Sequence, residues 1–328
     1  MAKKLQKVAV LTSGGDAPGM NAAIRAVVRA CSFNEIECYG VYRGYQGLID
    51  GRLEQLGARS VRNIINKGGT FLKSARCDDF RTPEGREKAF QNLEKYQIDA
   101  LVVIGGDGSF TGALKLHEEF NFPVVGIPGT IDNDINGTDF TIGYDTALNT
   151  VVEAIDNIRD TASSHNRLFL VEVMGRDAGD IALNSGIGAG AEEILIPEEN
   201  RGVERLLESL SHSRMSGKTS SIVVVAEGEK SGKNIFELAE YIEHKLEDYE
   251  VRVSVLGHIQ RGGAPSCYDR VLASKLGIGA IDALIRGDYN VMIGIVHKKV
   301  TLVPLEVALQ KREHHHEGLI RVAAITSV

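Results

Sequence analysis

Residues 100–116 read ALVVIGGDGSFTGALKL, and their order decides the fold. Ala100–Ile104 is apolar at every position, which predicts a strand covered on both faces, as in a parallel sheet. Gly105, Gly106, Asp107 and Gly108 close that strand, and Ser109 is placed to cap a helix. The same grammar recurs along the chain. Val8–Thr12, Phe122–Ile127, Arg167–Val173, Ser221–Ala226 and Val291–Val296 are further apolar runs. Between them, NAAIRAVVRA (21–30), EGREKAFQNLEKY (84–96), DTALNTVVEAIDNIRDT (145–161), GVERLLESL (202–210) and FELAEYIEHKL (236–246) carry apolar residues at helical spacing. Thr82 before Pro83 gives one of these helices a hydroxyl cap and a proline at its first position. The alternation predicts doubly wound α/β layers, whose ligands sit beyond the carboxyl ends of the strands.

At 328 residues the chain is long for one core and two domains are expected. Its 37 Lys and Arg against 44 Asp and Glu leave a formal net charge of -7, which argues against a broad nucleic-acid footprint. Cys31, Cys38, Cys77 and Cys267 form no CxxC pair, so reduced thiols are expected rather than disulfides or a zinc site. The Val8–Leu11 run is too short for the core of a secretory signal. No stretch approaches the roughly 20 apolar residues of a membrane span, so a soluble, cytoplasmic protein is expected. His314, His315 and His316, in KREHHHEG (311–318), read as an exposed helix end with at most weak metal binding.

Three glycine-rich strand ends carry the chemistry. In TSGGDAPGMNAAIRAVVRA (12–30), Gly14 and Gly15 end a strand before a helix, so backbone N–H groups and the helix dipole can meet a phosphate. A tight turn explains the same residues. In the second loop, Asp107 is sited to hold Mg²⁺, which takes one or two carboxylates plus phosphate oxygens; a capping aspartate is its structural alternative. The third, PGTIDNDINGTD (128–139), gathers Thr130, Asp132, Asp134 and Asp139. Turn composition accounts for part of it. Phosphoryl transfer also needs a carboxylate to accept the acceptor hydroxyl's proton, and this loop can supply one.

Six blocks, LTSGGDAPGMNAAIR (11–25), GGTFLKSAR (68–76), VVIGGDGS (102–109), PGTIDNDI (128–135), VEVMGR (171–176) and LGHIQRGG (256–263), together resemble the bacterial ATP-dependent phosphofructokinases of glycolysis. The resemblance implies transfer of the ATP γ-phosphoryl to the 1-hydroxyl of fructose 6-phosphate. It implies two similar Rossmann-like three-layer α/β domains, an ATP-binding one of about 1–142 plus 258–309 and a sugar-phosphate-binding one of about 143–257 plus 310–328. By matched position, Asp132 is the general base, with Thr130 and Asp134 beside it, and Asp107 holds Mg²⁺. Gly15, Arg76, Cys77, Gly106, Asp107, Gly108 and Ser109 line the nucleotide. Arg76 and Arg176 face the charge on the transferring group, a task suited to a permanently protonated planar fork. Met174, Gly175, Arg176 and Glu227 hold the sugar. His258 and Arg261 bind its 6-phosphate with Arg167 and Arg252 of a neighbouring subunit, which implies a homotetramer.

Relatives that use pyrophosphate carry Asp and Lys where this chain has Gly108 and Gly129, so ATP is the expected donor. The effector site of the bacterial enzymes, for ADP or phosphoenolpyruvate, is matched by Arg25, Arg29, Arg159, Gly190, Glu192 and Lys218. Arg25 and Arg29 stand four apart on one helix face. Two family cations are replaced, by Ala58 next to Arg59 and by Ser216, so regulation is expected to be blunted or to use Arg59 and Arg214. GEKSGKN (228–234) reads as a surface loop. A dinucleotide oxidoreductase would show GxGxxG in the first loop, and it is absent. A non-catalytic phosphate-binding regulator would lack Asp107 or Asp132, and both are present.

Overall fold

The computed structural model describes residues 5–162, 167–199, 202–215, 221–246, 249–313 and 316–327. Their strands are β1 (Lys7–Thr12), β2 (Glu37–Val41), β3 (Leu53–Leu56), β4 (Ala100–Gly105), β5 (Val124–Pro128), β6 (Arg167–Val173), β7 (Glu193–Leu195), β8 (Ser221–Ala226), β9 (Glu250–Val255), β10 (Val291–Val296) and β11 (Lys299–Pro304). The chain divides into two compact units, Met1–Thr146 with Arg261–Arg312, and Ala147–Gln260 with Glu313–Val328.

The first unit holds a seven-stranded sheet ordered β11-β10-β5-β4-β1-β2-β3. Its interior pairs are parallel, and an antiparallel strand, β3 or β11, closes each edge. Every residue of β4 and β5 is buried, which is why their sequences are apolar without alternation. From β1 the chain moves outward to β2 on one side, and from β4 to β5 on the other. The β1–β4 boundary is therefore a switch point, where open α/β sheets leave a crevice beyond their carboxyl ends. The helix Pro83–Lys95 starts as the sequence predicts, with Thr82 Oγ1 accepting from the Gly85 N–H at 3.1 Å. The helix Cys267–Arg286 is capped by Ser266 and ends at Gly287 in the left-handed region, φ 85°.

The second unit holds a parallel four-stranded sheet, β7-β8-β6-β9. Its core gathers Leu168, Leu170, Leu206, Leu210, Val223, Val225, Leu238 and Ile242. The helix Ile235–Lys245 begins with a reciprocal capping box between Asn234 and Glu237. Both sheets are mainly parallel and of the α/β class.

Two expectations are corrected. Ser109 is no helix cap: the helix Asp107–Phe120 already begins at Asp107 after Gly106, and Ser109 is buried inside its first turn. His316 is no exposed helix end: it is 7% exposed and lies against Asp180 and Glu198. His314 and His315 lie outside the described residues.

Candidate active site

In the first unit the three glycine-rich loops leave β1, β4 and β5, which are adjacent strands. The Ser13 N–H donates to Ile104 O and the Gly129 N–H to Gly105 O, each at 3.0 Å. These bonds hold the loops at one level. Gly105 is tightly enclosed: a Cβ there would stand 2.3 Å from Ser109 Oγ and 2.5 Å from Ser13 O, so any side chain would force these loops apart. At Gly106 a Cβ would lie 3.7 Å from Thr130 Cβ, so the second loop runs beside the third with room for little more than a methyl group between them. Gly108 opens onto space, with nothing within 4 Å of its Cβ position. Asp107 is the first residue of its helix, and no side chain caps that helix.

The third loop is held by its own hydrogen bonds. Asn133 adopts φ 54°, a left-handed conformation that asparagine tolerates. Its side chain donates to Asp139 O at 3.3 Å and accepts from the Thr141 N–H at 3.0 Å. Thr141 Oγ1 donates to Thr130 O at 2.6 Å, and Arg312 donates to Asn133 O at 2.6 Å. The Asp132 N–H donates to Thr130 Oγ1 at 3.3 Å, and Asp132 is only 3% exposed. A carboxylate at a fixed position in partly excluded solvent is the arrangement that general-base catalysis requires.

Two further segments close on these loops. Thr12 Oγ1 lies 2.8 Å from Thr70 Oγ1 and donates to Lys73 O at 3.0 Å, while Asn21 donates to Lys67 O and Gly68 O. The segment leading to Arg76 and Cys77 is thereby anchored at the end of β1. Arg76 is exposed; Cys77 is half-buried, and burial raises its thiol pKa. Arg261 lies over the first loop, its Nη1 donating to Asp16 O at 3.4 Å and standing where a Cβ of Gly15 would be. The resemblance implies a nucleotide role for Gly15 and a sugar-phosphate role for Arg261; here the Arg261 guanidinium lies against Gly15.

Sequence reasoning missed Asp269. It is 0% exposed, and it accepts from the Gly143 N–H at 2.9 Å, the Thr146 N–H at 2.8 Å and Thr146 Oγ1 at 2.5 Å. It thus pins the chain just after the third loop. Burial pushes its pKa up to about 6, against the lowering effect of these bonds. The spacing of Ser266 and Asp269 hinted at a helix start but not at this role.

In the second unit, Met174, Gly175 and Arg176 follow β6, and Glu227 follows β8. Arg176 is left-handed, φ 54°, and its N–H donates to Glu227 Oε1 at 2.8 Å. A Cβ on Gly228 would strike Arg176 O, so the two strand ends fit only with glycine there. Glu172 has its pKa raised by burial and then by Glu227. Arg167 donates to Glu250 at 2.9 Å, and Arg252 pairs with the same carboxylate. Glu250, also unforeseen, thus gathers two of the cations expected at a sugar phosphate. Asp134 is half-buried, and His258 is exposed in the helical turn Gly257–Arg261.

Of the expected effector residues, Arg159, Gly190 and Glu192 come together: Arg159 donates to Ala189 O and Gly190 O at 2.7 Å and lies 3.7 Å from Glu192. Arg25 and Arg29 share the helix Met20–Phe33, and burial followed by the Arg29 charge lowers the Arg25 pKa. Ala58 and Arg59 are exposed. Ser216 and Lys218 lie outside the described residues.

Glycine-rich loops on adjacent parallel strands, flanking a switch point and backed by a buried carboxylate, define an α/β phosphate-binding protein. Residues 7–284 match the phosphofructokinase family profile, and the chain belongs to that family. It is 52% identical to the ATP-dependent 6-phosphofructokinase 2 of Bacteroides thetaiotaomicron, over 98% of each chain. It is 53% identical to the ATP-dependent 6-phosphofructokinase of Bacillus pumilus, over 99% of this chain and all of that one. Its fold superposes on Pichia pastoris phosphofructokinase with a TM-score of 0.87 and 39% identity, covering 94% of this chain and 36% of that longer one. Among the described residues no helix is long and apolar enough to cross a membrane.

Proposed function

We propose that this chain is an ATP-dependent 6-phosphofructokinase, transferring the γ-phosphoryl of ATP to the 1-hydroxyl of fructose 6-phosphate. The observation that carries it is the junction of β4 and β5, where the Gly129 N–H donates to Gly105 O at 3.0 Å and so sets the GGDG loop beside the loop of Thr130 and the buried Asp132. Relatives so named cover essentially the whole chain.

Asp132 accepts the 1-hydroxyl proton as the new O–P bond forms and the bond to the ADP leaving oxygen breaks. Thr130 and Asp134 accompany it in the reacting centre. Gly15, Arg76, Cys77 and Gly106–Ser109 take the nucleotide, and Gly108, whose Cβ direction is open, leaves room for phosphates. Asp107 suits Mg²⁺ as a half-buried carboxylate in the loop that takes the phosphates, since that ion is held by one or two carboxylates together with phosphate oxygens. The ion would neutralise phosphate charge there. Arg76 and Arg176 serve the transferring group, while Met174, Gly175 and Glu227 orient the sugar. His258 and Arg261, with Arg167 and Arg252 of a neighbouring subunit, bind the 6-phosphate of a cytoplasmic homotetramer. Arg25, Arg29, Arg159, Gly190, Glu192 and Lys218 form an effector site for ADP or phosphoenolpyruvate, weakened by Ala58 and Ser216.

A coupled assay crossing ATP and pyrophosphate with fructose 6-phosphate tests this reading. Turnover with ATP and Mg²⁺ is expected; turnover with pyrophosphate alone would overturn the donor assignment.

A further inference from the structure

His316 in the second unit is the one member of the histidine run within the described residues, and its surroundings are unlike those of a surface helix end. It precedes the helix Glu317–Thr326, which packs on the helix Asp180–Gly188. Asp180 is the first residue of that second helix, and Glu198 follows β7. His316 Nε2 lies 3.3 Å from Glu198 Oε1 and 3.7 Å from Asp180 Oδ2, and the three ligand atoms lie within 4.8 Å of one another.

We propose that Asp180, Glu198 and His316 form a binding site for one divalent transition-metal ion of the zinc class, separate from the site of phosphoryl transfer. Oxygen and nitrogen ligands about 2.0–2.2 Å from a tetrahedral ion stand about 3.3–3.6 Å apart, close to the two separations observed. An ion placed between them would engage all three groups at once.

A second observation points the same way. Glu198 Oε2 is a buried oxygen with no hydrogen-bond partner among the described residues. Glu198 Oε1 accepts from the Gly179 N–H at 2.8 Å, the kind of outer contact that orients a ligating carboxylate. The donor set also selects the metal. An imidazole nitrogen beside two carboxylates suits Zn²⁺, Co²⁺ or Mn²⁺, while Mg²⁺ prefers oxygen alone, so this site differs from that of the Mg²⁺ accompanying ATP.

The test uses the full-length enzyme, stripped with chelator and titrated with Co²⁺ and Zn²⁺ in excess Mg²⁺. One Co²⁺ per chain with a tetrahedral visible spectrum is expected, and saturating Zn²⁺ should raise Tm by at least about 4 °C. Both effects should vanish in His316→Ala and in Glu198→Gln, which keeps the shape of the side chain and its acceptor for Gly179. Both should persist in the double variant His314→Ala/His315→Ala. Kinase turnover with Mg²⁺ and ATP should be retained in every variant, showing that each folds. Absence of stoichiometric binding, or binding unaffected by His316→Ala in a folded enzyme, would overturn the proposal. So would binding lost only in the double variant.

Discussion

The two units solve the same problem by different means. In the first, strand-end loops are fixed by backbone: glycines at 44, 68 and 105 sit where a Cβ would strike main chain within 3 Å, and the aspartates at 132 and 269 are nearly or fully buried. In the second, the cations Arg167, Arg176 and Arg252 lie at the surface or half-exposed, and acids at 227 and 250 meet them or their backbone. Rigid backbone suits a transition state that tolerates little displacement. Cations left open to solvent suit a phosphate that must enter and leave. The contrast predicts that changes in the first unit strike turnover and stability, and changes in the second strike sugar affinity.

The largest expected effect is at Asp132. Asp132→Ala should lower kcat by about 10²–10⁴-fold with the fructose 6-phosphate KM little altered, because positioned acid–base groups contribute that much. Steady-state kinetics with circular dichroism would check it. A loss in KM alone would move the base elsewhere and break the contrast.

Asp269 comes next, through pH. Its folded pKa, about 6, lies above the 3.8 of an ordinary aspartate. Between these values the folded state holds more protons than the unfolded one, so the contribution of this group to stability is full below about pH 4 and is lost as pH rises through 6. About two pH units at 1.36 kcal/mol each make the difference about 3 kcal/mol. Comparing urea unfolding of the wild type and Asp269→Asn at pH 4 and pH 7 isolates it from carboxylates of opposite sign such as Glu119, whose pKa is lowered by its bond from Arg86. Equal pH slopes for the two proteins would refute the assignment.

Gly105 and Gly108 divide the first unit more finely. Gly105→Ala should cost about 1–3 kcal/mol through overpacking against Ser109 and Ser13, whereas Gly108→Ala should stay within about 0.5 kcal/mol. Thermal melts of both would show it. These two glycines look alike in the sequence, and only the neighbours distinguish them.

That limit runs through the molecule. β1, β4, β6, β8 and β10 were legible because each has a central run of at least four consecutive buried residues, apolar but for the Thr that ends β1 and the Ser that starts β8, even where Arg167 and Glu172 interrupt the ends of β6. β9, EVRVSV, alternates and is partly exposed, β2 carries Glu and Gly, β3 has only four residues with Glu and Gln at its centre, and β7 has three residues, so none stood out. The apolar run 122–127 became β5 at Val124–Pro128, two residues later, because Val124 is the first residue in register with β4. The loops at 14, 105 and 129 were legible by composition. Asp269, Glu250 and the His316 cluster were not, because each draws its meaning from residues distant in sequence or from a carboxylate that reads as ordinary surface charge.

Glu250→Gln gives the smallest effect and the sharpest test of the second unit. Arg167, Arg252 and Glu250 are each between roughly a quarter and half exposed, at 27%, 46% and 44% of their side chains, so their pairing is worth only about 0–1 kcal/mol. Stability should hardly move. If the two guanidinium groups serve a sugar phosphate, Glu250 competes with that ligand, and its neutralisation should lower the fructose 6-phosphate KM, by no more than about fivefold for an interaction of this size. A raised KM with unchanged stability would mean instead that Glu250 aims the two arginines, and the second unit would then be as preorganised as the first.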